Sequence, residues 1–253
     1  MQHLHEGDRV PDAAVQVLRV DGWEPARIER LFAARTIVAF AVPGAFTPTC
    51  SSQHLPRFEE LAPALRARGV DEVLCIAVND PYVMQAWARE QGVENVTLVA
   101  DGNCEFTDAL GMGVDRRDLG FGRRSWRYSL LARDGVIEKM FVEPEEPGDP
   151  LHVSDADTML AWLDPKAKPP DEVAILTRPG CPHCARAKQM LDEAGLDYVE
   201  LSLDNKVRGR VVAAITGHHS VPQIFINGES IGGADALEHR LYGPGGRPAT
   251  RTT

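Results

Sequence analysis

The chain has no excess of positive charge, no long apolar run and no even set of cysteines, and each lack excludes something. Its 253 residues carry 27 Lys and Arg against 37 Asp and Glu, a net charge of −10. Surfaces that bind nucleic acid are basic, so that partner class is excluded, and an anionic membrane face is disfavoured on the same ground. No run approaches the roughly 18 apolar residues that would span a bilayer. The opening Met-Gln-His-Leu-His-Glu-Gly-Asp lacks the basic-then-apolar order of a secretion signal. Five cysteines, two of them spaced Cys-x-x-Cys, suit thiol redox chemistry in a reducing cytoplasm better than a disulfide scaffold. The expectation is a cytoplasmic protein with no membrane and no nucleic-acid partner.

What the chain does have is concentrated in residues 40–56, Phe-Ala-Val-Pro-Gly-Ala-Phe-Thr-Pro-Thr-Cys-Ser-Ser-Gln-His-Leu-Pro. The apolar run Ile37–Val42 reads as a buried strand that stops at Pro43-Gly44. Thr47-Pro48-Thr49-Cys50 then opens a helix, with Thr47 as N-cap and Pro48 at the first helical position. Cys50 falls in the first turn, where backbone N–H groups lack partners and the helix dipole is positive. Both favour a thiolate, whereas a free cysteine of pKa about 8.5 is only a few per cent ionised at pH 7. The stretch reads as the site of an activated sulfur nucleophile; the plain alternative is a small buried thiol.

Pro43, Thr47 and Cys50 stand as Pro-x-x-x-Thr-x-x-Cys, and here the chain resembles the peroxiredoxins. The longer Pro-Gly-Ala-Phe-Thr-Pro-Thr-Cys-Ser-x-x-His-Leu-Pro is similar to the peroxiredoxin-5 subfamily in particular. The resemblance implies that Cys50 is the peroxidatic cysteine, attacking a peroxide O–O bond to become a sulfenic acid. It also implies that Arg127 holds Cys50 as thiolate and binds the peroxide oxygens, two jobs that a planar cation with fixed donors suits. Arg123 and Arg124 beside it read as surface arginines. Thr47 has two candidate jobs, as N-cap accepting from the Cys50 amide and as a hydroxyl bonded to peroxide.

Along the chain, residues 1–35 read as an antiparallel lead-in with an Asp21-Gly22 turn, ending in a short helix. Leu55, Phe58, Ala62 and Leu65 repeat at helical spacing, with a kink expected at Pro56 and Pro63. Val73–Val78 reads as a central parallel strand and Thr97–Ala100 as another; a helix runs from Asn79-Asp80-Pro81 to about Gln91, and a capped one spans 101–110. Trp126–Ala132 and Val136–Val142 flank Arg133-Asp134-Gly135 as a hairpin. A Pro- and Glu-rich loop at 143–150 precedes a helix over 154–163, where Ser154 and Asp157 form a capping-box pattern. This places a first domain at 1–163 and a short semi-rigid linker, Asp-Pro-Lys-Ala-Lys-Pro-Pro-Asp, at 164–171. A second, smaller domain at 172–243 has the order βαβαββα, with Asn227-Gly228 as its hairpin turn, and a disordered tail follows at 244–253. The fold class is α/β, two thioredoxin-fold domains.

Arg178-Pro-Gly-Cys181-Pro182-His183-Cys184 repeats the logic of the first site: a strand ends and a cysteine sits where a helix begins. Cys184, Ala187, Leu191 and Ala194 recur at 3-4-3 spacing, which puts Cys184 one turn on, on the buried face and within disulfide reach of Cys181. The first cysteine of such a motif is the low-pKa nucleophile. Together with Ser220-Val221-Pro222-Gln223 and Gly232-Gly233-Ala234-Asp235, this resembles the glutaredoxins. That resemblance implies a cis Pro222 beside Cys181 and a glutathione site. In it Val221 offers its backbone, Asp235 takes the γ-glutamyl end, the Gly233 and Ala234 amides face a carboxylate, and Arg178 stands where many members have lysine. The whole chain thus resembles a peroxiredoxin–glutaredoxin hybrid.

Four other candidates weigh less. Cys75, inside Leu-Cys-Ile-Ala-Val, reads as an inert buried residue, with a resolving cysteine as the alternative. Cys104 reads as a dispensable residue at a loop or helix start, where many relatives have glycine. His54 reads as a hydrogen-bonding or packing residue one turn beyond Cys50. His218-His219 lacks zinc-finger spacing, so no metal is expected.

The resemblance implies a glutathione-dependent thiol peroxidase for hydrogen peroxide and small alkyl hydroperoxides, with no bound cofactor and glutathione as reducing co-substrate. A dimer or tetramer is expected. The alternatives are a general deglutathionylation or disulfide enzyme using the second domain alone, and a redox sensor using Cys50 as a switch.

Overall fold

The computed structural model describes residues 4–146, 148–204 and 207–243, so the predicted tail at 244–253 lies outside the described residues. The chain divides into two compact units, Met1–Pro169 and Pro170–Thr253. Within the predicted linker, the Asp164 carboxylate takes Arg68 and the Lys166 amide, and Ala167 packs on the core of the first unit.

In the first unit the chain runs β1 (Ala14–Arg19), β2 (Gly22–Arg27), α1 (Ile28–Phe32) and β3 (Thr36–Val42). It continues as α2 (Leu55–Arg66), β4 (Glu72–Ala77), α3 (Pro81–Gln91), β5 (Thr97–Ala100) and α4 (Glu105–Ala109). β6 (Gly113–Asp115), β7 (Arg123–Ser125), β8 (Tyr128–Arg133), β9 (Val136–Val142) and α5 (Ala156–Leu163) complete it. Seven strands form one sheet in the order β2-β1-β5-β4-β3-β8-β9, with β3, β4 and β5 parallel and the outer pairings antiparallel. β6 and β7 pair separately, a ribbon without sequence signal because each strand has three residues.

The central strand shows why its sequence is apolar throughout. Val38, Phe40 and Val42 face one core with Phe58, Leu61, Trp87 and Met159, while Ile37, Ala39 and Ala41 face another with Ile28, Phe32 and Phe106. A strand covered on both faces loses the polar alternation of a half-exposed one. Burying each large side chain contributes about 1.5–3 kcal/mol. Its neighbour β4 starts on a buried carboxylate, Glu72, held by Arg19, Arg35 and Thr97. Turn chemistry follows the sequence: Asp134-Gly135 and Asn227-Gly228 all have positive φ, the demand of a two-residue hairpin turn. Asp80 caps α3 by accepting from the Tyr82 and Val83 amides.

Three expectations are corrected. The cap of α5 is Asp155, which accepts from the Thr158 amide, not Ser154. The Ser154 hydroxyl is taken instead by the buried Glu143 carboxylate at 2.8 Å. The helix after Asp101 begins only at Glu105, because Cys104 sits at φ +61, the left-handed region; Asp101 accepts from the Phe106 and Thr107 amides across the gap. The distortion expected at Pro56 lies one turn earlier, where Cys50–His54 is a π-helical turn and the Leu55 amide reaches back to Cys50 O. Pro56 has no N–H for Ser52 O and its ring would strike that carbonyl, so the turn before it widens.

The second unit runs β10 (Val173–Thr177), α6 (Pro182–Glu193), β11 (Val199–Ser202), α7 (Gly209–Thr216), β12 (Gln223–Ile226), β13 (Glu229–Gly232) and α8 (Ala234–Tyr242). Its sheet order is β11-β10-β12-β13, with β10 parallel to β11 and antiparallel to β12. Ile175, Ala187, Leu191, Ile224 and Leu237 form its core. The stripe on α6 is Cys184, Ala187, Met190 and Leu191; the predicted fourth member, Ala194, lies past the helix end and is exposed.

Candidate active site

β3 ends at Val42, the chain turns through Pro43 and Gly44, and the helix begins at Pro48. This turn lowers Cys50 into the first core, where its side chain is wholly buried. The Thr47 hydroxyl donates to Gly44 O at 2.9 Å, and among the described residues it takes no bond from the Cys50 amide, so the N-cap role expected for it is corrected. The Ala45 amide beside Gly44 donates to Asn79 Oδ1 at 3.0 Å, which fixes this turn. Arg124, read from sequence as a surface residue, is half-buried; its guanidinium donates to Val78 O and leans over this turn.

Arg127 immediately precedes β8 and is 2% exposed. Nη1 donates to His54 Nδ1 at 2.9 Å, and Nη2 reaches Cys50 Sγ at 3.5 Å and Asp149 Oδ1 at 2.5 Å. An arginine can only donate, so His54 Nδ1 must accept and the ring proton sits on Nε2, which donates to Ser154 O at 3.0 Å. His54 therefore orients the guanidinium. It packs 4.8 Å from the Phe40 ring and 5.4 Å from Phe58. The hydrogen bonding and the packing expected of His54 from its place one turn beyond Cys50 are both present.

The electrostatics of the sulfur pull in both directions. Burial pushes the Cys50 thiol up from its ordinary value, Arg127 and Thr47 pull it down, and Asp149 pushes it up again, for a net upward shift. The helix start was legible in sequence; complete burial and the carboxylate on Arg127 were not. Cys75, opposite Phe40 on β4, is pushed well up by burial. Cys104 is raised to about 11 by burial and by Asp108, to which its thiol donates at 3.4 Å.

Burial and the neighbouring Arg127 hold His54 down at about 3. The unfolded chain regains an ordinary histidine near 6.5, so below that pH it binds a proton the native state refuses. Stability is therefore full above about pH 6.5 and falls on acidification toward 3, by up to about 1.4 kcal/mol per unit. The unfolding free energy from urea titrations should drop between pH 7 and pH 5 by about 2 kcal/mol more in the wild type than in His54→Asn; equal losses would refute a buried neutral His54.

In the second unit Cys181 is the N-cap of α6, and its sulfur accepts from the Cys184 amide at 3.2 Å. The Val221–Pro222 bond is cis, and Val221 O lies 3.9 Å from the Cys181 sulfur. Cys184 is buried and raised to about 11, by desolvation first and then by its bond to Cys181. A pocket of about 370 Å³ is lined by Arg178, Cys181, Cys184, Lys188 and Glu200. Arg178 donates to Asp204 O and Val207 O, Gly233 caps α8 beside Pro222 O, and Ala234 is buried. Asp235 is paired with Arg186. All five cysteines are free, and among the described residues no cluster of His, Cys, Asp or Glu has the form of a metal site.

The family described as Redoxin matches residues 5–160, and that described as Glutaredoxin matches residues 173–231. A relative named hybrid peroxiredoxin hyPrx5, from Haemophilus influenzae, is 50% identical over 92% of this chain and 97% of its own length. The chain is a hybrid peroxiredoxin. Peroxiredoxin sll1621 of Synechocystis is 51% identical over 61% of this hybrid peroxiredoxin and 84% of its own length. The solved structure of reduced Prx3 from Vibrio vulnificus, in complex with hydrogen peroxide, has a TM-score of 0.60 at 40% identity, covering 64% of this chain and 99% of that one. The hybrid peroxiredoxin is accordingly a peroxidase, a thioredoxin-like peroxiredoxin domain fused to a glutaredoxin domain with its own sheet.

Proposed function

We propose that this peroxidase draws its electrons from glutathione and that the second domain is its built-in reductant. The observation that carries the reading is one chain with two cysteine-bearing helix starts, one against a buried arginine and one against a cis proline. Hydrogen peroxide, named in the Vibrio structure, and small alkyl hydroperoxides are the substrates of Cys50. The Cys50 sulfur attacks one peroxide oxygen, the O–O bond breaks, and the leaving oxygen departs as water or alcohol after taking a proton. Arg127, Thr47 and the turn at Pro43 hold the reacting oxygens. Glutathione condenses with the Cys50 sulfenic acid, releasing water and leaving a Cys50–glutathione disulfide. Cys181 thiolate attacks the glutathione sulfur and Cys50 leaves as thiolate. A second glutathione then attacks the glutathione sulfur and Cys181 leaves as thiolate, or Cys184 attacks the Cys181 sulfur and expels glutathione, leaving a Cys181–Cys184 disulfide that two glutathiones reduce; by either route one peroxide consumes two glutathiones and yields one glutathione disulfide. The tether raises the effective concentration of one site for the other.

Arg178, Val221, Pro222, Gly233, Ala234 and Asp235 are the proposed glutathione cradle, a helix start for a carboxylate and an acidic side chain for an ammonium. Exposed Phe46, Tyr82, Leu119 and Phe121 support a homo-oligomer, dimer or tetramer, which sedimentation of the full chain reads. Free cysteines throughout suit a reducing compartment, the cytoplasm. Among the described residues no helix is long and apolar enough to cross a membrane.

A glutathione-reductase-coupled assay tests the reading. NADPH consumption should require both peroxide and glutathione in the wild type. It should fall by about a hundredfold or more in Cys181→Ser and by no more than a few-fold in Cys184→Ser, because glutathione can replace Cys184. Full turnover by Cys181→Ser would remove the glutaredoxin site from the cycle, and consumption with thioredoxin but not glutathione would overturn the electron source.

A further inference from the structure

One guanidinium nitrogen at the peroxidatic site serves two acceptors. Arg127 Nη2 lies 3.5 Å from Cys50 Sγ and 2.5 Å from Asp149 Oδ1. The bond to the carboxylate joins two full charges at short range and is the stronger of the two. Asp149 belongs to the segment between β9 and α5, and the base of that segment is fixed. The Glu143 amide donates to Arg127 O, and its carboxylate accepts from the His152, Val153 and Ser154 amides and the Ser154 hydroxyl. Asp149 itself is tied to the helix start, its carbonyl accepting from Thr49 Oγ1 at 3.4 Å, one residue before Cys50. Its side chain is 33% exposed while that of Arg127 is 2% exposed. The carboxylate can turn to water; the guanidinium cannot.

We propose that Asp149 is a positioning residue for the peroxidatic step: in the substrate-free site its carboxylate occupies the Arg127 Nη2 that the Cys50 sulfur and an incoming peroxide oxygen must share. The inference rests on reading Cys50 as the nucleophile. The charged and titratable groups around Arg127 are Cys50 and His54 from the helix, Cys75 from β4, and Glu143 and Asp149 from the segment after β9. His54 is neutral, and the Glu143 oxygens are filled by amides and a hydroxyl. Asp149 is thus the anion free to exchange, and its charge lies in the direction that disfavours a thiolate. While it holds Arg127, the cation is spent on a carboxylate; once it turns away, the same nitrogen is available to sulfur and peroxide.

The test is the isosteric Asp149→Asn in the full chain, with Cys50 alkylation by iodoacetamide followed across pH and read peptide by peptide in a mass spectrometer. The midpoint for Cys50 should fall by about half to one pH unit, and the peroxide rate constant below the midpoint should rise about three- to tenfold. Asp149→Glu should return both toward wild type, which a merely structural role would not require. Cys181 alkylation in the same digest checks that the second unit is unchanged, and Asp149→Ser carries the same expectation should the asparagine variant misfold. An unmoved or raised Cys50 midpoint in the folded variants overturns the inference. A lowered midpoint without peroxide consumption would instead overturn Cys50 as the peroxidase nucleophile and leave the Asp149 geometry standing.

Discussion

Cys50→Ser loses peroxide consumption by at least about a thousandfold, to the level of the uncatalysed reaction with glutathione. The substitution removes the atom that must be oxidised, and a hydroxyl in its place has no thiolate-like state to reach near neutral pH. No other cysteine of the first unit can take over. Cys75 lies on the adjacent strand, but it is wholly buried among apolar side chains and pushed well above its ordinary value. Cys104 is raised to about 11 and is bonded to Asp108, beside the Arg123–Asp108 pair rather than the Arg127 cluster. Cys75→Ala should therefore keep the peroxide rate within about twofold while costing roughly 1 kcal/mol of stability from the vacated volume. Stopped-flow peroxide mixing on the two variants separates them. Residual rapid oxidation in Cys50→Ser would place the nucleophile elsewhere.

How far sequence reached depends on whether a feature is local. The strand Thr36–Val42, the capped helix after Asp80 and the two-residue turns at Asp134-Gly135 and Asn227-Gly228 each carry their cause within a few residues, and their elements follow. So does the helix start below Cys50, where Thr47-Pro48 precedes the sulfur. What stayed hidden was set by partners far along the chain. Ser154 and Asp155 both suit a helix cap, and the choice falls to Asp155 because Glu143, eleven residues upstream, claims the serine hydroxyl. The π turn comes from a proline acting on the turn before it. The resting state of Cys50 depends on burial and on a carboxylate 99 positions away, neither of which a helix-start motif encodes. Arg124 read as a surface residue because its strand is short and its partner, Val78 O, lies 46 positions away.

Arg127→Lys isolates what a fork of donors contributes beyond its charge. Arg127 spans His54 Nδ1 with one nitrogen and both Cys50 Sγ and Asp149 Oδ1 with the other. A lysine ammonium is a single point on a flexible stem and cannot hold that geometry. The charge remains near the sulfur, but the acceptor on His54 is left unpaired in a buried site, a cost of about 1–3 kcal/mol in stability. The peroxide rate constant should fall by about a hundred- to a thousandfold, the loss expected when a preorganised donor to the developing charge is removed. Arg127→Gln, which also removes the charge, should fall further and shift the Cys50 titration midpoint upward, since Arg127 is the largest influence pulling that thiol down. Under the glutathione cycle proposed above, the steps at Cys181 are untouched by either change. A glutathionylated peptide offered to Arg127→Lys should therefore be reduced at the wild-type rate while peroxide is not. Equal losses in both assays would mean the substitution has unfolded the chain rather than disarmed one site, and an unchanged peroxide rate would remove Arg127 from the reaction.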